Sequence, residues 1–121
     1  MGSATVCLVE ADPAIRDSLT TLLDLNGYEV RTFATGSAFL RSIGREDDIL
    51  CVVCEAQLPD VSGLDVHEAL QRYADTIPFA LLISRRDDKI IDTARRRGIT
   101  RYFLKPLVYR HLIEFVSGLA R

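Results

Sequence analysis

The chain has 121 residues, 48% of them hydrophobic and 26% charged, with a formal net charge of −2. That length supports one domain with a single core. The mild acidity argues against a nucleic-acid grip by this domain alone, no apolar run approaches the roughly 20 residues of a membrane span, and no basic start followed by a long apolar stretch marks a signal peptide.

Ala4 to Val9 is an apolar run that reads as a first strand, followed by Glu10-Ala11-Asp12-Pro13. Asp12 before Pro13 is a helix start, an N-cap carboxylate and then a proline in the first turn. Ile15, Leu19, Leu22 and Leu23 keep helical spacing, and Asn26-Gly27 closes the helix in the left-handed conformation. Tyr28 to Phe33 is a short strand whose charges, Glu29 and Arg31, place it at a sheet edge. Ser37 caps a short helix carrying Phe39, Leu40 and Ile43, and Arg45 to Asp48 form a polar loop.

Ile49 to Cys54 is six apolar residues in a row, bounded by Glu55 and by the turn Pro59-Asp60-Val61-Ser62-Gly63. A run too short for a free-standing helix and closed by a turn reads as a strand buried on both faces, at the centre of a parallel sheet. Cys51 and Cys54 form a C-x-x-C, but residues three apart on a strand point to opposite faces, so the spacing predicts core thiols and not a redox or zinc pair. Three cysteines fit a reducing cytoplasm.

Leu64 to Tyr73 is a modest helix with Leu64, Val66, Ala69 and Leu70 on its apolar side. Pro78 to Ile83 is a fourth strand, with the charged loop Ser84 to Asp88 at its carboxyl end. Lys89 to Arg97 is a helix with a thin apolar face of Ile90, Ile91 and Ala94, stopped by Gly98. Tyr102 to Leu104 is the fifth strand, ending in Lys105-Pro106, and the last helix uses Val108, Leu112, Phe115, Val116 and Leu119. His67 and His111 are read as surface residues on helices.

Strand and helix alternate five times, with no internal repeat or linker. Right-handed crossovers then place helices on both faces of a five-stranded parallel sheet, a doubly wound α/β fold. The carboxyl ends of such strands share one edge crevice. They carry Glu10 and Asp12 after the first strand, Glu55 after the third, Ser84 after the fourth and Lys105 after the fifth. Acids gathered there repel unless a cation or Lys105 sits among them.

Val9-Glu10-Ala11-Asp12-Pro13, Leu58-Pro59-Asp60-Val61-Ser62-Gly63 and Lys105-Pro106 occur in an order and spacing that resemble the receiver domain of two-component response regulators, over essentially the whole chain. The resemblance implies the flavodoxin-like strand order 2-1-3-4-5. It also implies a site that takes a phosphoryl group from a histidine kinase onto an aspartate with Mg²⁺, and a switch of the face from the fourth to the fifth helix. Lys105 matches the family's lysine and Tyr102 its aromatic switch position. The acceptor position, four residues before the turn proline, falls on Glu55. The family's acid pair falls on Glu10 and Ala11, so the acid resembling a direct Mg²⁺ ligand is missing. The switch hydroxyl position falls on Ile83, with Ser84 one place late.

The resulting expectation is an atypical receiver domain spanning residues 1–121, part of a bacterial regulator and possessing the cut of an N-terminal module. It signals by protein contacts in the cytoplasm, is not an enzyme, and holds Mg²⁺ weakly or not at all. Glu55 pairs with Lys105, either as a partial stand-in for a phosphoryl group or as a simple counter-charge. Asp12 is an N-cap that can also join Glu10 on a cation, and Asp60 is a turn former. Arg95, Arg96, Arg97 and Arg101 form a basic patch on the fourth-helix to fifth-helix face, the expected surface for a protein partner, an output domain or a second copy, with neither nucleic acid nor membrane as partner. Two alternatives stand beside this: a working phospho-receiver using Glu55 or Asp60, and a flavodoxin-like cofactor binder, opposed by the absence of a glycine-rich loop after the first strand.

Overall fold

The computed structural model describes residues 4–44, 48–84 and 86–119. Five strands alternate with five helices: β1 Thr5–Val9, α1 Pro13–Leu25, β2 Glu29–Phe33, α2 Gly36–Ser42, β3 Ile49–Glu55, α3 Gly63–Tyr73, β4 Phe79–Ile83, α4 Asp88–Arg96, β5 Arg101–Leu104 and α5 Tyr109–Leu119. All pairings are parallel, and the sheet order is β2-β1-β3-β4-β5. The fold is the doubly wound, flavodoxin-like arrangement that the pattern and the resemblance imply. Residues 45–47 of the expected polar loop and Arg85 lie outside the described residues.

The period-2 geometry of the strands divides the core in two. Cys7, Val9, Val52, Cys54, Leu81 and Ile83 face α2, α3 and α4, meeting Phe39, Val66, Leu70 and Ile91. Val6, Leu8, Cys51, Val53, Ala80 and Leu82 face α1 and α5, meeting Leu19, Leu23, Leu112 and Val116. Cys51 and Cys54 thus sit in different halves of the core, on opposite faces of β3. Burial, with the Cys7 thiol nearby, pushes the Cys51 thiol up to about 12. Both are inert packing residues.

Several local expectations need correction. The N-cap of α2 is Thr35, whose hydroxyl accepts the Ala38 N–H at 3.1 Å, while Ser37 lies inside the helix. Gly36 starts that helix, and a side chain there would meet Val61 and Val66. His67 is not a surface residue: it is only 7% exposed and packs edge-on against Phe79, with ring centroids 4.8 Å apart. Burial, and then the Arg97 charge, hold its imidazole below the usual value, so the neutral ring is favoured.

Candidate functional site at the carboxyl edge of the sheet

The β1–β3 register sets Val9 opposite Cys54, so the next residues on each strand, Glu10 and Glu55, lie side by side. Both continue the strand alternation onto the α1/α5 side, as does Lys105 after Phe103. Three charged side chains from three strands are thereby aimed at one corner. Lys105 Nζ lies 2.7 Å from Glu10 Oε1 and 3.4 Å from Glu55 Oε2. Glu10 is fully buried, and Glu55 and Lys105 nearly so.

Main-chain donors complete the arrangement. Glu10 Oε2 accepts the Asp12 N–H at 3.0 Å, and Glu55 Oε1 accepts the Ala11 N–H at a longer 3.3 Å. Arg16 donates to the carbonyls of Glu10 and Ala11, at 2.8 and 3.3 Å, and so fastens the β1–α1 turn to its own helix. Asp12 caps α1 by accepting the N–H groups of Ala14 and Ile15. The Lys105 N–H donates to the Ile83 carbonyl at 2.9 Å, which ties the lysine to the end of β4.

Two buried carboxylates around one ammonium leave an excess of negative charge. Glu55 carries the consequence. Burial raises its pKa, the hydrogen bond and charge of Glu10 raise it further, and Lys105 and the Ala11 N–H offset only part of this. The two acids share one lysine.

The carboxylate oxygens at this corner are therefore engaged with Lys105 and with main-chain N–H groups, and residue 11 supplies no oxygen ligand. Among the described residues no three His, Cys, Asp or Glu side chains are grouped so as to hold a metal ion. Mg²⁺ takes octahedral oxygens, mostly waters with one or two carboxylates, and to use Glu10 or Glu55 it would have to compete with Lys105.

Ile83 is buried in the core half facing α2 to α4, whereas Ser84 is exposed and lines the crevice. Tyr102 is half-buried against that same half of the core. Asp60 does more than form its own turn. It accepts the Val61 N–H at 2.9 Å, and also those of Gly36 and Ser37 at 3.1 and 2.8 Å, so it caps α2 from a distant loop. These bonds, those with Ser37 foremost, hold its carboxyl well below the usual range. Gly63 is required by its packing: a Cβ there would lie 2.5 Å from the Glu55 carbonyl oxygen and would displace the end of β3.

The four arginines make separate local contacts, that of Arg96 being with the Thr93 hydroxyl on its own helix. Arg97 leans on α3, donating to the Leu64 carbonyl at 3.4 Å and standing 4.0 Å from Glu68. Arg101 lies over the Phe115 ring of α5 at 5.4 Å, and Arg95 pairs with Asp92 on its own helix. Among the described residues no helix is long and apolar enough to cross a membrane.

Residues 6–117 match the response regulator receiver domain family. The chain belongs to that family. Among curated relatives, it is 30% identical to the transcriptional regulatory protein TdiR of Thauera aromatica over 120 residues, covering 96% of this chain and 51% of that protein. It is 32% identical to the transcriptional regulatory protein AfsQ1 of Streptomyces coelicolor, covering 97% and 51%. The response regulator protein TodT of Pseudomonas putida is 25% identical, with 96% and 51% covered. The chain spans about half the length of these relatives. Among solved structures, a receiver domain protein from Clostridium thermocellum superposes with a TM-score of 0.89 at 20% identity, covering 96% of this chain and 93% of that one. FixJ-N superposes with a TM-score of 0.86 at 24% identity, covering 99% and 95%. At those identities the likeness establishes the receiver fold.

Proposed function

We propose that this receiver domain signals by protein contact without aspartyl phosphorylation. The reading is carried by the corner itself: a glutamate at the acceptor position, already bound to Lys105 and to the Ala11 N–H. Phosphoryl transfer to a carboxylate depends on positioning and on neutralising the phosphoryl oxygens. One extra methylene moves the Glu55 carboxylate by roughly 1–1.5 Å from where an aspartate would hold it, an error that can cost about a hundredfold. Ala11 removes an anionic ligand, and Ile83 puts a buried alkyl group where the family has a hydroxyl. Mg²⁺ is accordingly held weakly or not at all.

Glu55 also makes a poor imitation of a phosphoryl group. It carries at most one negative charge, against about −1.5 to −2 for a phosphate. The reading favoured is a counter-charge that keeps Lys105 and the sheet edge in a fixed state. Output then runs through the α4–β5–α5 face to a protein partner or to an output domain of the same regulator, and the relatives named as transcriptional regulators support a role in transcription control. Asp60 is a weaker candidate acceptor than Glu55, because Lys105 pairs with Glu10 and Glu55 while Asp60 is held by three main-chain N–H groups.

Intact mass after incubation with Mg²⁺ and acetyl phosphate, on the wild type and on Glu55→Asp, tests this. The wild type is expected to keep its mass. A phosphoryl gained by Glu55→Asp alone means that residue 55 silences an otherwise sound pocket. No label on either protein means that Ala11 and Ile83 have dismantled the pocket as well. A labelled wild type overturns the proposal.

A further inference from the structure

A cleft of about 990 Å³ opens between α1 and the turn joining β5 to α5, with Glu55 and Lys105 at its inner end. Its size falls at the upper end of what small-molecule sites occupy. Ile15 and Leu19 of α1 form one wall, and Pro106, Leu107 and Tyr109 form the other. Ala11 sits at the junction, so the position where the family carries an acid leaves the polar corner open to the apolar walls. We propose that this cleft binds a small organic cation, an ammonium headgroup carried on a hydrocarbon body.

Charge decides the sign of the headgroup. The charged residues lining the cleft are Asp12 and Glu55 against Lys105, and Lys105 is also paired with the buried Glu10. Arg16 is turned onto the carbonyls of Glu10 and Ala11 and does not line the cleft. Lys105 lies closer to Glu10, which is buried behind it, than to Glu55, which lines the cleft. An anion entering to meet Lys105 therefore encounters an ammonium already matched by two acids. A cation meets Glu55, whose other contacts are long: the Ala11 N–H at 3.3 Å and Lys105 at 3.4 Å. The α1 N-terminus does not offer an anion site either, because Asp12 already accepts the Ala14 and Ile15 N–H groups. Ser84 also lines the cleft and carries a hydroxyl able to accept an ammonium proton.

The inference does not depend on how the domain signals, and its failure would leave the phosphorylation result untouched. The test is a titration of the whole 121-residue chain, followed by ¹H–¹⁵N NMR, with hexylamine, hexanol and hexanoate as probes. Hexylamine is expected to bind tightest of the three, shifting the amides of Ala11, Ile15 and Leu107. Glu55→Gln should weaken hexylamine by about tenfold, the scale of one charge-assisted contact, and leave hexanol unchanged. Ala14→Arg puts a cation on an exposed helix position at the cleft and should also weaken hexylamine, which keeps the test decisive if Glu55→Gln folds poorly. Tighter binding of hexanoate, equal binding of all three probes, or no shift in these amides at millimolar probe would overturn the proposal.

Discussion

Lys105 Nζ stands 2.7 Å from Glu10 Oε1 but 3.4 Å from Glu55 Oε2, so the buried lysine belongs first to the first strand and only second to the acceptor position. Removing it leaves two buried acids with no cation between them. Breaking a buried ion pair by deleting one partner costs about 3–5 kcal/mol, because the remaining charge is stranded. Lys105→Met is therefore expected to lose about 3 kcal/mol or more of unfolding free energy at pH 7, read from urea midpoints. At pH 5 the loss should be smaller, since one carboxyl then takes up a proton in place of the missing ammonium. An equal loss at both pH values would mean that Lys105 stabilises the fold through its hydrocarbon stem and not through its charge.

The excess acid gives the fold a pH signature of definite sign. Glu55 has a folded-state pKa above the ordinary 4.5, from burial first and Glu10 second. In the window above 4.5 the folded state holds a proton that the unfolded chain has released. The stability this supplies is fully present below the unfolded value and is lost as pH rises through the folded one. His67 acts in the opposite direction. Its imidazole is depressed below 6.5, so its contribution is present above that value and is lost as pH falls through the folded one. Glu55→Gln separates the two, because it leaves His67 in place. The unfolding free energy of the wild type minus that of Glu55→Gln should fall steadily from pH 4.5 upwards. Parallel profiles for the two proteins would show that Glu55 titrates as an ordinary surface acid.

What the sequence disclosed follows from where the information resides. Strands buried on both faces must be continuously apolar, so Ile49–Cys54 and Pro78–Ile83 announced the centre of the sheet. The charges at Glu29 and Arg31 marked the edge. Period-2 geometry separates Cys51 from Cys54. His67 was legible and was misread: Gly63, Val66, His67 and Leu70 keep the spacing i, i+3, i+4, i+7 of one buried helix face. The α2 cap falls on Thr35 and not on Ser37, the cap expected from the sequence. Val61 and Val66 leave little room for a side chain at position 36, the first residue of that helix. The charge balance at the corner was legible only in outline. Which acid Lys105 prefers depends on fractions of an ångström at three strand ends, set by register and burial together.

The role of Asp60 was the least legible feature, because it joins two loops far apart in the chain. Its carboxylate accepts N–H groups from Gly36 and Ser37, 24 and 23 residues away, as well as from the adjacent Val61. A single carboxylate thus supplies a cap to α2 and closes the turn leading to α3, locking the segment after the acceptor position against a neighbouring helix. Asp60→Ala removes all three acceptor contacts and is expected to lower Tm by several degrees. Hydrogen exchange at the Gly36 and Ser37 amides should accelerate together, since they lose the same partner. The depressed carboxyl fixes the pH dependence: its contribution is present above the unfolded value near 3.8 and is lost as pH falls through the folded one, so the deficit of Asp60→Ala should narrow in acid. Unchanged exchange at Gly36 and Ser37 in Asp60→Ala would mean that Thr35 alone holds the start of α2, leaving Asp60 as a turn residue and nothing more.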